Sequence, residues 1–330
     1  MRRMWRPLLG LVVVLLALAV AGAIYQAIAT ELAERAYPPP GEMVDVGGYS
    51  LHINCVGQGS PTVLLDGGSG EMSAQWVWVQ QEVSDTTRVC AYDRAGMGWS
   101  EMGPQPRDGR QISSELHTLL TKADIEGPYV LVGHSFGGMY MQMYAARYPD
   151  EVAGVALVDS STEPDQFGQR PEVRDGYELQ EQRFAVVPQL AQLGASLLAR
   201  LGVVRLVSKL DPASPELPSQ QRAQIDALTP STRQVSTYAG EFLAPTQTRR
   251  LGSPGSLGNK PLAVITAGTQ EPSWLKLQDK LATLSSNSIR RVVKGATHTS
   301  VMYDRSDAQA TSAAIVEVVA AVRNDRPLAR

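Results

Sequence analysis

Residues 129–138 read YVLVGHSFGG, an apolar run followed at once by a turn that holds three glycines. The run Tyr129–Val132 is typical of a buried strand, and Phe136–Tyr148 is typical of a helix, which Pro149 would end. The turn between them contains the pattern Gly-x-Ser-x-Gly. In this strand–turn–helix context the pattern predicts a nucleophile elbow, a sharp turn that presents a reactive serine.

The spacing of the glycines in this turn has a steric reason. Gly133 and Gly137 carry no side chains, so the backbone can pack tightly on both flanks of Ser135. The serine is then lifted off the sheet edge at the start of the next helix, where backbone N–H groups point at developing negative charge. The sequence therefore predicts Ser135 as a nucleophile. The alternative is a tight packing turn with an idle serine.

A serine nucleophile needs a base, and the chain has four histidines. In proteins with this kind of elbow, the order along the chain is serine, acid, histidine. Only His298 follows Ser135 at a distance, on a loop just after the strand-like run Ile289–Val293, so we expect His298 to be the general base and acid. The other three are better explained as surface or structural histidines: His52, His117 and His134.

The carboxylate that orients the histidine has two candidates. Asp159 follows the strand-like run Val152–Val158, and Glu271 follows Leu262–Thr266. Either would stand at the carboxyl edge of a parallel sheet, where it could orient the imidazole and stabilise its cation. Alternatively, Asp159 caps a loop and Glu271 opens a helix, where an acidic residue is favourable. Asp159 is preferred because its shorter side chain follows a longer apolar strand, and Glu271 stays an alternative.

An oxyanion formed next to Ser135 needs two backbone N–H donors. The residue after the nucleophile, Phe136, should supply one of them. The second should come from the loop after the strand-like run Thr62–Leu65, where Gly67 and Gly68 follow and Gly68 is the better candidate. Glycines at this point let a substrate approach the backbone closely.

Short apolar runs alternate with helical stretches on both sides of the elbow. Met43–Val46 and Tyr49–Val56 flank Gly47-Gly48, which indicates a hairpin. Such alternation predicts an α/β fold with a mostly parallel sheet and helices on both faces. The other predicted elements are strands at Thr62–Leu65, Arg88–Tyr92, Tyr129–Val132, Val152–Val158, Leu262–Thr266 and Ile289–Val293, and helices at Gln75–Val83, Arg110–Lys122, Phe136–Tyr148, Ser273–Leu284 and Asp307–Arg323.

The alternation stops between residues 162 and 258, which hold helical pieces with many Pro and Gly and no clear strand. Gln189–Leu206 and Pro218–Leu228 are two such pieces. We interpret 162–258 as a helical cap, or lid, inserted into one core domain made of residues 42–161 and 259–330. The apolar runs of the cap are equally consistent with an apolar substrate pocket and with the cap's own core.

The N-terminus is typical of a membrane segment. Residues 7–29 contain no charge and only one strongly polar side chain, Gln26, and a helix of this length can cross about 30 Å of hydrocarbon. Three arginines precede the run, so the positive-inside rule keeps the N-terminus cytoplasmic and the rest of the chain outside. We predict a single-pass anchor over residues 1–35 and a stiff linker over residues 36–41. The alternative is a signal peptide with a cleavage site at 27–29, which would make the protein secreted.

Composition narrows the classes of function. The chain has 330 residues, 43% of them hydrophobic, which is enough for one large catalytic domain with a packed core. Its net charge of -3 gives no basic excess, so we expect no nucleic-acid partner. Two cysteines are too few for a Cys-rich zinc module or a dense disulfide scaffold, and we expect no metal site.

Over about residues 42–325 the sequence resembles the α/β-hydrolase superfamily. Besides the elbow and a late Gly-x-x-His at 295–298, two blocks carry the resemblance. Leu64–Gly70, LLDGGSG, looks like the family's oxyanion block, with Asp66 where many members have His. Residues 93–100, DRAGMGWS, are similar to its D-R-x-G-x-G-x-S block. The sequence departs from the family after the seventh strand, where the usual Asp is replaced by Glu.

The resemblance implies an eight-stranded, mostly parallel sheet of order 1-2-4-3-5-6-7-8, with the second strand antiparallel and a lid over the active site. It also implies a Ser–acid–His hydrolase without a cofactor. Family members that act on epoxides or haloalkanes use Asp at the elbow, so Ser135 argues against both activities. The implied strand order makes the strands of Cys55 and Cys90 neighbours. Because a disulfide can persist outside the cytoplasm, we predict a Cys55–Cys90 bridge, with two buried free thiols as the alternative.

We therefore expect a serine hydrolase that acts on small or medium esters or related acyl compounds through a covalent acyl-enzyme. The expected partners are such a small-molecule acyl substrate and, through the N-terminal helix, a membrane. Other chemistries on the same residues stay open: a C–C bond hydrolase, an aminopeptidase, a lipase or a cofactor-free haloperoxidase. A membrane-tethered binding module that keeps the fold without turnover is a further alternative.

Overall fold

The computed structural model describes residues 2–162, 186–210, 215–243 and 255–328, with an eight-stranded sheet at the centre. The strands are β1 (Glu42–Asp45), β2 (Ser50–Val56), β3 (Thr62–Asp66), β4 (Val89–Tyr92), β5 (Tyr129–His134), β6 (Val152–Val158), β7 (Leu262–Ala267) and β8 (Ser288–Val293). Their order is β1-β2-β4-β3-β5-β6-β7-β8. β2 is antiparallel to both of its neighbours, and the remaining pairs are parallel. The predicted fold class and strand order are confirmed.

The central strands are continuous apolar runs because helices cover both faces of the sheet. Successive side chains of a strand point to opposite faces. Val63 and Leu65 accordingly lie in one buried apolar cluster, whereas Leu64 lies in the other. β8 is at the edge of the sheet and is partly exposed. The core therefore lies in two layers, and the carboxyl ends of the parallel strands meet along one edge.

The helices agree with the predicted elements apart from one division and two additions, one of which is the single-turn helix Ser300–Tyr303. The predicted piece Gln189–Leu206 is divided because Gly202 adopts a left-handed φ of 74° between two helices. The helix at Thr232–Leu243 is not among the predicted elements. The helices are α1 (Arg2–Ala36), α2 (Val77–Ser84), α3 (Gly109–Lys122), α4 (Phe136–Arg147), α5 (Val186–Arg200), α6 (Val203–Ser208), α7 (Ser219–Leu228), α8 (Thr232–Leu243), α9 (Pro272–Leu281), α10 (Ser300–Tyr303) and α11 (Arg305–Arg323), with 3-10 turns at Ser73–Trp76, Pro149–Glu151 and Ala282–Leu284.

The described residues between β6 and β7 form helices α5 to α8 and contribute no strand to the sheet. This interval corresponds to the cap predicted at 162–258. Helix α8 contacts the core through Gln234, whose side chain accepts a hydrogen bond from the amide of Gly98 at 2.8 Å and donates one to the carbonyl of Gly70 at 2.9 Å. The parts of the predicted cap that lie outside the described residues are 163–185, 211–214 and 244–254.

α1 is one uninterrupted helix of 35 residues, longer than the predicted membrane segment. Its part Pro7–Ala36 is long and apolar enough to cross a membrane, with a mean hydropathy of 2.7 over an 18-residue window that is not buried. Gln26 is nevertheless buried, and its side chain donates a hydrogen bond of 2.9 Å to the carbonyl of Pro230 in the cap. The single polar residue of the apolar run thus faces the protein.

The segment predicted as a stiff linker, residues 36–41, is held against the core. Nε1 of Trp99 donates to the carbonyl of Tyr37 at 2.8 Å, and Nε2 of His52 contacts the carbonyl of Pro40. Trp99 and His52 are both buried. Backbone carbonyls that meet buried donors fix the path of the chain, so these residues are not a free spacer.

Cys55 on β2 and Cys90 on β4 stand opposite each other in the antiparallel register of the two strands. The structure joins them in a disulfide, with the Cα atoms 4.0 Å apart. The bond closes a loop of 35 residues that includes the whole of β3 and α2.

Candidate active site

The turn between β5 and α4 holds Ser135 in a conformation that side chains rarely adopt, with φ of 50° and ψ of −121°. A Cβ atom at Gly133 would overlap the backbone of Gly138, and one at Gly137 would overlap the carbonyl of Asp66. The geometry therefore requires both glycines of the predicted elbow. Ser135 stands at the carboxyl edge of the sheet, directly before the first residue of α4.

His298 follows β8 and meets Asp159, which follows β6, at the same edge of the sheet. Nδ1 of His298 lies 2.6 Å from Oδ2 of Asp159. The buried Asp159 also accepts hydrogen bonds from Nε1 of Trp274 at 2.9 Å and from the amide of Ala267 at 3.1 Å. Burial raises the pKa of Asp159, but its hydrogen bonds, above all that from His298, outweigh burial and lower the pKa below 3.8. Since Asp159 engages Nδ1, Nε2 is the ring nitrogen that could take the proton of Ser135.

The alternative acid, Glu271, does not contact the histidine. Glu271 is exposed at the N-cap of α9. Its neighbours Gln270 and Trp274 instead donate hydrogen bonds to the carboxylate of Asp159. The loop after β7 thus approaches the site as predicted, but it contributes an amide and an indole rather than a carboxylate.

The amide of Gly68, predicted as the second oxyanion donor, already has a partner. It donates a hydrogen bond of 2.5 Å to Oε2 of Glu71. A Cβ atom at Gly68 would lie 3.1 Å from both this oxygen and the Cβ of Ser135, so the carboxylate stands beside Ser135. The amide of Phe136, the other predicted donor, is at the N-terminus of α4. A substrate oxygen would therefore compete with Glu71 for one of the two predicted donors.

Glu71 forms an ion pair with His134 beside Ser135. Its Oε2 lies 2.9 Å from Nδ1 of His134, and the hydroxyl of Tyr303 donates to its Oε1 at 2.8 Å. Nε2 of His134 lies 2.7 Å from the carbonyl of His298, so both ring nitrogens face acceptors, as in a protonated imidazole.

The two members of this pair hold each other in the charged form. Burial raises the pKa of Glu71, but the charge of His134 and the hydrogen bonds from His134, Gly68 and Tyr303 lower it to about 2. Burial lowers the pKa of His134, but the carboxylate of Glu71 outweighs burial and raises the pKa above 6.5. The sequence prediction for His134 is a structural histidine, and the structure gives it a structural partner, Glu71.

A second buried ion cluster fixes the loop after β3 and links it to the cap. Arg94 donates to Oδ1 of Asp66 at 2.5 Å and to Oε2 of Glu241 on α8 at 2.9 Å. It also donates to the carbonyls of Gly67 at 2.7 Å and Gly68 at 2.8 Å. Asp66, which stands where many family members have His, therefore accepts from a guanidinium. One side chain connects the predicted oxyanion loop, the sheet edge and the cap.

The two remaining histidines have partners away from Ser135. His52 is buried, and its Nδ1 lies 2.9 Å from Oδ2 of Asp93. The ring of His117 stacks on the ring of Tyr148, with the ring centroids 4.3 Å apart. Across residues 2–162, 186–210, 215–243 and 255–328, no three His, Cys, Asp or Glu side chains are grouped as a metal site would require.

Sequence reasoning misses several residues of this site. Arg94 has a local signal, because it belongs to the DRAGMGWS block, and Glu71 directly follows LLDGGSG. The others reach the site only through contacts distant in sequence, for which a single sequence holds no signal. The residues that sequence reasoning does not single out are Glu71, Arg94, Glu241, Gln270, Trp274 and Tyr303.

Comparison with known proteins identifies the family. A sequence model described as the α/β-hydrolase fold matches residues 61–304, which is most of the chain. The chain belongs to the α/β-hydrolase family. The match begins just before β3 and ends just after α10, so it includes the elbow, Asp159 and His298.

The relatives found are mostly uncharacterized. A protein of Schizosaccharomyces pombe is 31% identical over 159 residues, which cover 39% of this chain and 30% of the relative. A vacuolar membrane protein of Saccharomyces cerevisiae is 30% identical over 130 residues, which cover 34% of this chain and 20% of the relative. The chain thus spans less than a third of the length of these relatives. Among solved structures, the enol-lactonase from Burkholderia xenovorans LB400 has a TM-score of 0.60 at 19% identity, over 84% of this chain and 100% of that chain.

Proposed function

We propose that the protein is a serine hydrolase that cleaves small or medium esters, or related acyl compounds, through a covalent acyl-enzyme. The observation that carries the proposal is the 2.6 Å contact between Nδ1 of His298 and Oδ2 of Asp159, at the edge of the sheet where Ser135 precedes α4. A buried carboxylate on Nδ1 leaves Nε2 for the serine proton and stabilises the imidazolium that forms.

In the proposed reaction, Oγ of Ser135 attacks the acyl carbon while Nε2 of His298 takes the hydroxyl proton. The amides of Phe136 and Gly68 would hold the negative charge on the former carbonyl oxygen, with the Gly68 amide released from Glu71. The tetrahedral intermediate then collapses, and His298 returns the proton to the departing alcohol. Water attacks the acyl-enzyme by the reverse proton path and yields the carboxylic acid and free Ser135.

A second candidate is a membrane-tethered binding module without turnover. One observation favours it: the carboxylate of Glu71 occupies the amide of Gly68, which a hydrolase of this design needs for the oxyanion. A module of this kind would keep the fold but would not react at Ser135.

The experiment that separates these candidates is labelling with a fluorophosphonate, which reacts with activated serines. We expect the full chain to label at Ser135 and Ser135→Ala not to label. A panel of esters with graded acyl chains, assayed with both proteins, then defines the substrate class. Absence of labelling in a folded wild-type protein would contradict the hydrolase and favour the binding module. Labelling without hydrolysis of any ester would direct the search to C–C bond, peptide or perhydrolysis substrates.

We also propose that α1 anchors the protein in a membrane, with the N-terminus cytoplasmic and the catalytic domain outside. The apolar helix Pro7–Ala36, a vacuolar membrane protein among the relatives and the Cys55–Cys90 disulfide support this location. We expect the full chain to stay with the membrane fraction at alkaline pH. A shortened protein in the soluble fraction, beginning just after residues 27–29, would instead establish the secreted alternative.

A further inference from the structure

The cap carries an exposed apolar face beside α1. On α5 the exposed leucines recur at helical spacing, which aligns them along one side of the helix. A second group follows on α6 and just after it. Together these six side chains are between 56% and 84% exposed, and we call them the cap face: Leu190, Leu193, Leu197, Leu206, Val207 and Leu210. Single exposed leucines are ordinary, but contiguous ones on adjacent helices indicate a contact surface.

The charges within the segment that carries the cap face are of one sign. Residues 186–210 contain Arg200, Arg205 and Lys209 and no acidic residue. Arg200 and Lys209 are exposed, whereas Arg205 is buried and directed towards α1. Apolar side chains on one face with flanking basic residues are typical of helices that lie in the interface of an anionic bilayer.

The cap face adjoins α1 because α5 and α6 are docked on that helix. Gly22 lies so close to the carbonyl of Leu201 that a Cβ atom would not fit. The guanidinium of Arg205 donates to Oε1 of Gln26 at 3.0 Å and to the hydroxyl of Thr30 at 3.2 Å. The polar residue inside the apolar run thus serves to hold the cap.

The position of this contact along α1 indicates the depth of the junction between α5 and α6. About 20 residues of helix cross the hydrocarbon core. Counted from Pro7, the first residue after the basic start, the core would end near Gln26. Gly22, four residues earlier, would lie about 6 Å inside that boundary at 1.5 Å per residue. The junction of α5 and α6, which contacts both Gly22 and Gln26, therefore lies between the outer hydrocarbon boundary and about 6 Å inside it.

We propose that the cap face rests in the outer leaflet of the bilayer that α1 spans, with Arg200 and Lys209 at the level of anionic headgroups. The cap is then a second membrane contact, continuous with the anchor. The inference rests on the proposed insertion of α1 and not on the proposed hydrolytic activity.

Site-specific fluorescence on the full chain tests the proposal. Both native cysteines are in the disulfide, so a single added cysteine can be labelled with an environment-sensitive nitrobenzoxadiazole dye. The labelled variants are Leu193→Cys and Leu206→Cys on the cap face, with Leu15→Cys in α1 as the membrane control and the exposed Val292→Cys on β8 as the aqueous control. Each is reconstituted into vesicles of phosphatidylcholine and phosphatidylglycerol that contain acyl-chain spin labels.

We expect quenching at positions 193 and 206 by about half, comparable to position 15, and none at 292. Adding Arg200→Glu and Lys209→Glu should lower the quenching at the two cap positions and leave position 15 unchanged. Quenching at 15 alone would overturn the proposal while α1 stays inserted. A blue-shifted but unquenched signal at the cap positions would also overturn it, because protein rather than lipid would then cover the face. No quenching anywhere would overturn the insertion of α1 and the inference with it, whereas fluorophosphonate labelling would report separately on the activity.

Discussion

Oε2 of Glu71 lies 2.5 Å from the amide nitrogen of Gly68, which the proposed mechanism assigns to a developing oxyanion. A fixed negative charge at this point opposes a second one, so the same contact that orders the loop should raise the barrier to acylation. Glu71 is itself held by His134 and Tyr303, which keep the carboxylate in place.

Replacement of Glu71 by Gln should speed acylation. The amide has a similar shape and can still accept from Gly68 and His134, but it carries no charge to oppose the oxyanion. We expect the rate of fluorophosphonate labelling and kcat/KM for a reactive ester to rise about tenfold, equivalent to about 1.4 kcal/mol. Tyr303→Phe is the matched control, since it removes a bond to Glu71 but keeps the charge, and it should change the rates little. A fall of several orders of magnitude in Glu71→Gln would mean that the carboxylate assists the reaction.

The Glu71–His134 pair should make stability depend on pH within a defined window. The pKa of Glu71 is lowered to about 2 from 4.5, so its contribution is present above pH 4.5 and is lost as the pH falls towards 2. The pKa of His134 is raised above 6.5, so its contribution is complete below pH 6.5 and is lost as the pH rises through the raised value. The pair therefore stabilises most between pH 4.5 and 6.5.

Urea unfolding of the wild type and Glu71→Gln across this range measures the effect. A shift of one pKa unit is worth about 1.4 kcal/mol, so the free energies of unfolding should differ by about 3 kcal/mol inside the window and converge below it. Glu317→Gln removes one member of an exposed ion pair and should show no such window. A difference that is constant with pH would mean that the pair is not ionised in the folded protein.

The two acidic candidates should differ sharply in their effect on turnover. Asp159→Asn leaves His298 in the wrong tautomer, and loss of the orienting carboxylate costs about 10⁴ in kcat in a well-studied serine hydrolase. Glu271→Gln changes an exposed N-cap residue and should leave kcat nearly unchanged. Steady-state kinetics with one ester, together with circular dichroism of both variants, checks the comparison. Equal, small losses would mean that neither carboxylate orients the histidine.

Replacement of Arg94 should lower the free energy of unfolding more than most substitutions do. In Arg94→Lys a single ammonium group cannot reach Asp66, Glu241 and the two glycine carbonyls together, so buried acceptors lose their donor. We expect a loss of about 3 kcal/mol in the free energy of unfolding. Arg291→Lys, at an exposed pair with Glu317, should cost less than about 1 kcal/mol. Equal stability of the two variants would show that the Arg94 cluster does not hold the cap and the loop together.

The Cys55–Cys90 disulfide should stabilise the fold because it lowers the conformational entropy of the unfolded chain. Closure of a loop of 35 residues is worth about 3–4 kcal/mol in the chain-entropy estimate. We therefore expect Cys55→Ala with Cys90→Ala to unfold at a correspondingly lower urea concentration. Mass spectrometry after alkylation without reductant provides the check on the bond, since an intact disulfide gives no mass shift. Alkylation of both thiols in the unreduced, unfolded protein would rule the bond out.

Local patterns were sufficient for the fold class and for the position of the elbow, whereas the strand order was implied by the resemblance to the α/β-hydrolase superfamily. The elbow depends on glycines within three residues of Ser135, and each sheet strand is an apolar run whose burial follows from the layer arrangement. The break between α5 and α6 was harder to predict. Gly202 divides the two helices by adopting a left-handed conformation, which glycine permits but does not require.

The finer structure of the site could not be predicted because it depends on contacts between distant elements. Asp159 and Glu271 both follow sheet strands, and only the folded loop after β7 turns Gln270 and Trp274, rather than Glu271, towards the site. In the sequence Glu71 is likewise an ordinary loop residue, and only the fold brings His134 on β5 and Tyr303 on α10 to it.

Two hydrogen bonds join the carbonyls of Tyr37 and Pro40 to the buried side chains of Trp99 and His52. The segment between α1 and β1 is therefore held in a fixed position. A domain on a flexible linker would move through a large volume above the membrane and would encounter dissolved molecules. A domain held rigidly to a membrane-spanning α1, as proposed here for this protein, keeps a constant height and tilt above the membrane. It encounters substrates by lateral diffusion in the membrane plane. For such a protein, the surface density of a substrate in that plane, rather than its bulk concentration, would set the rate of encounter.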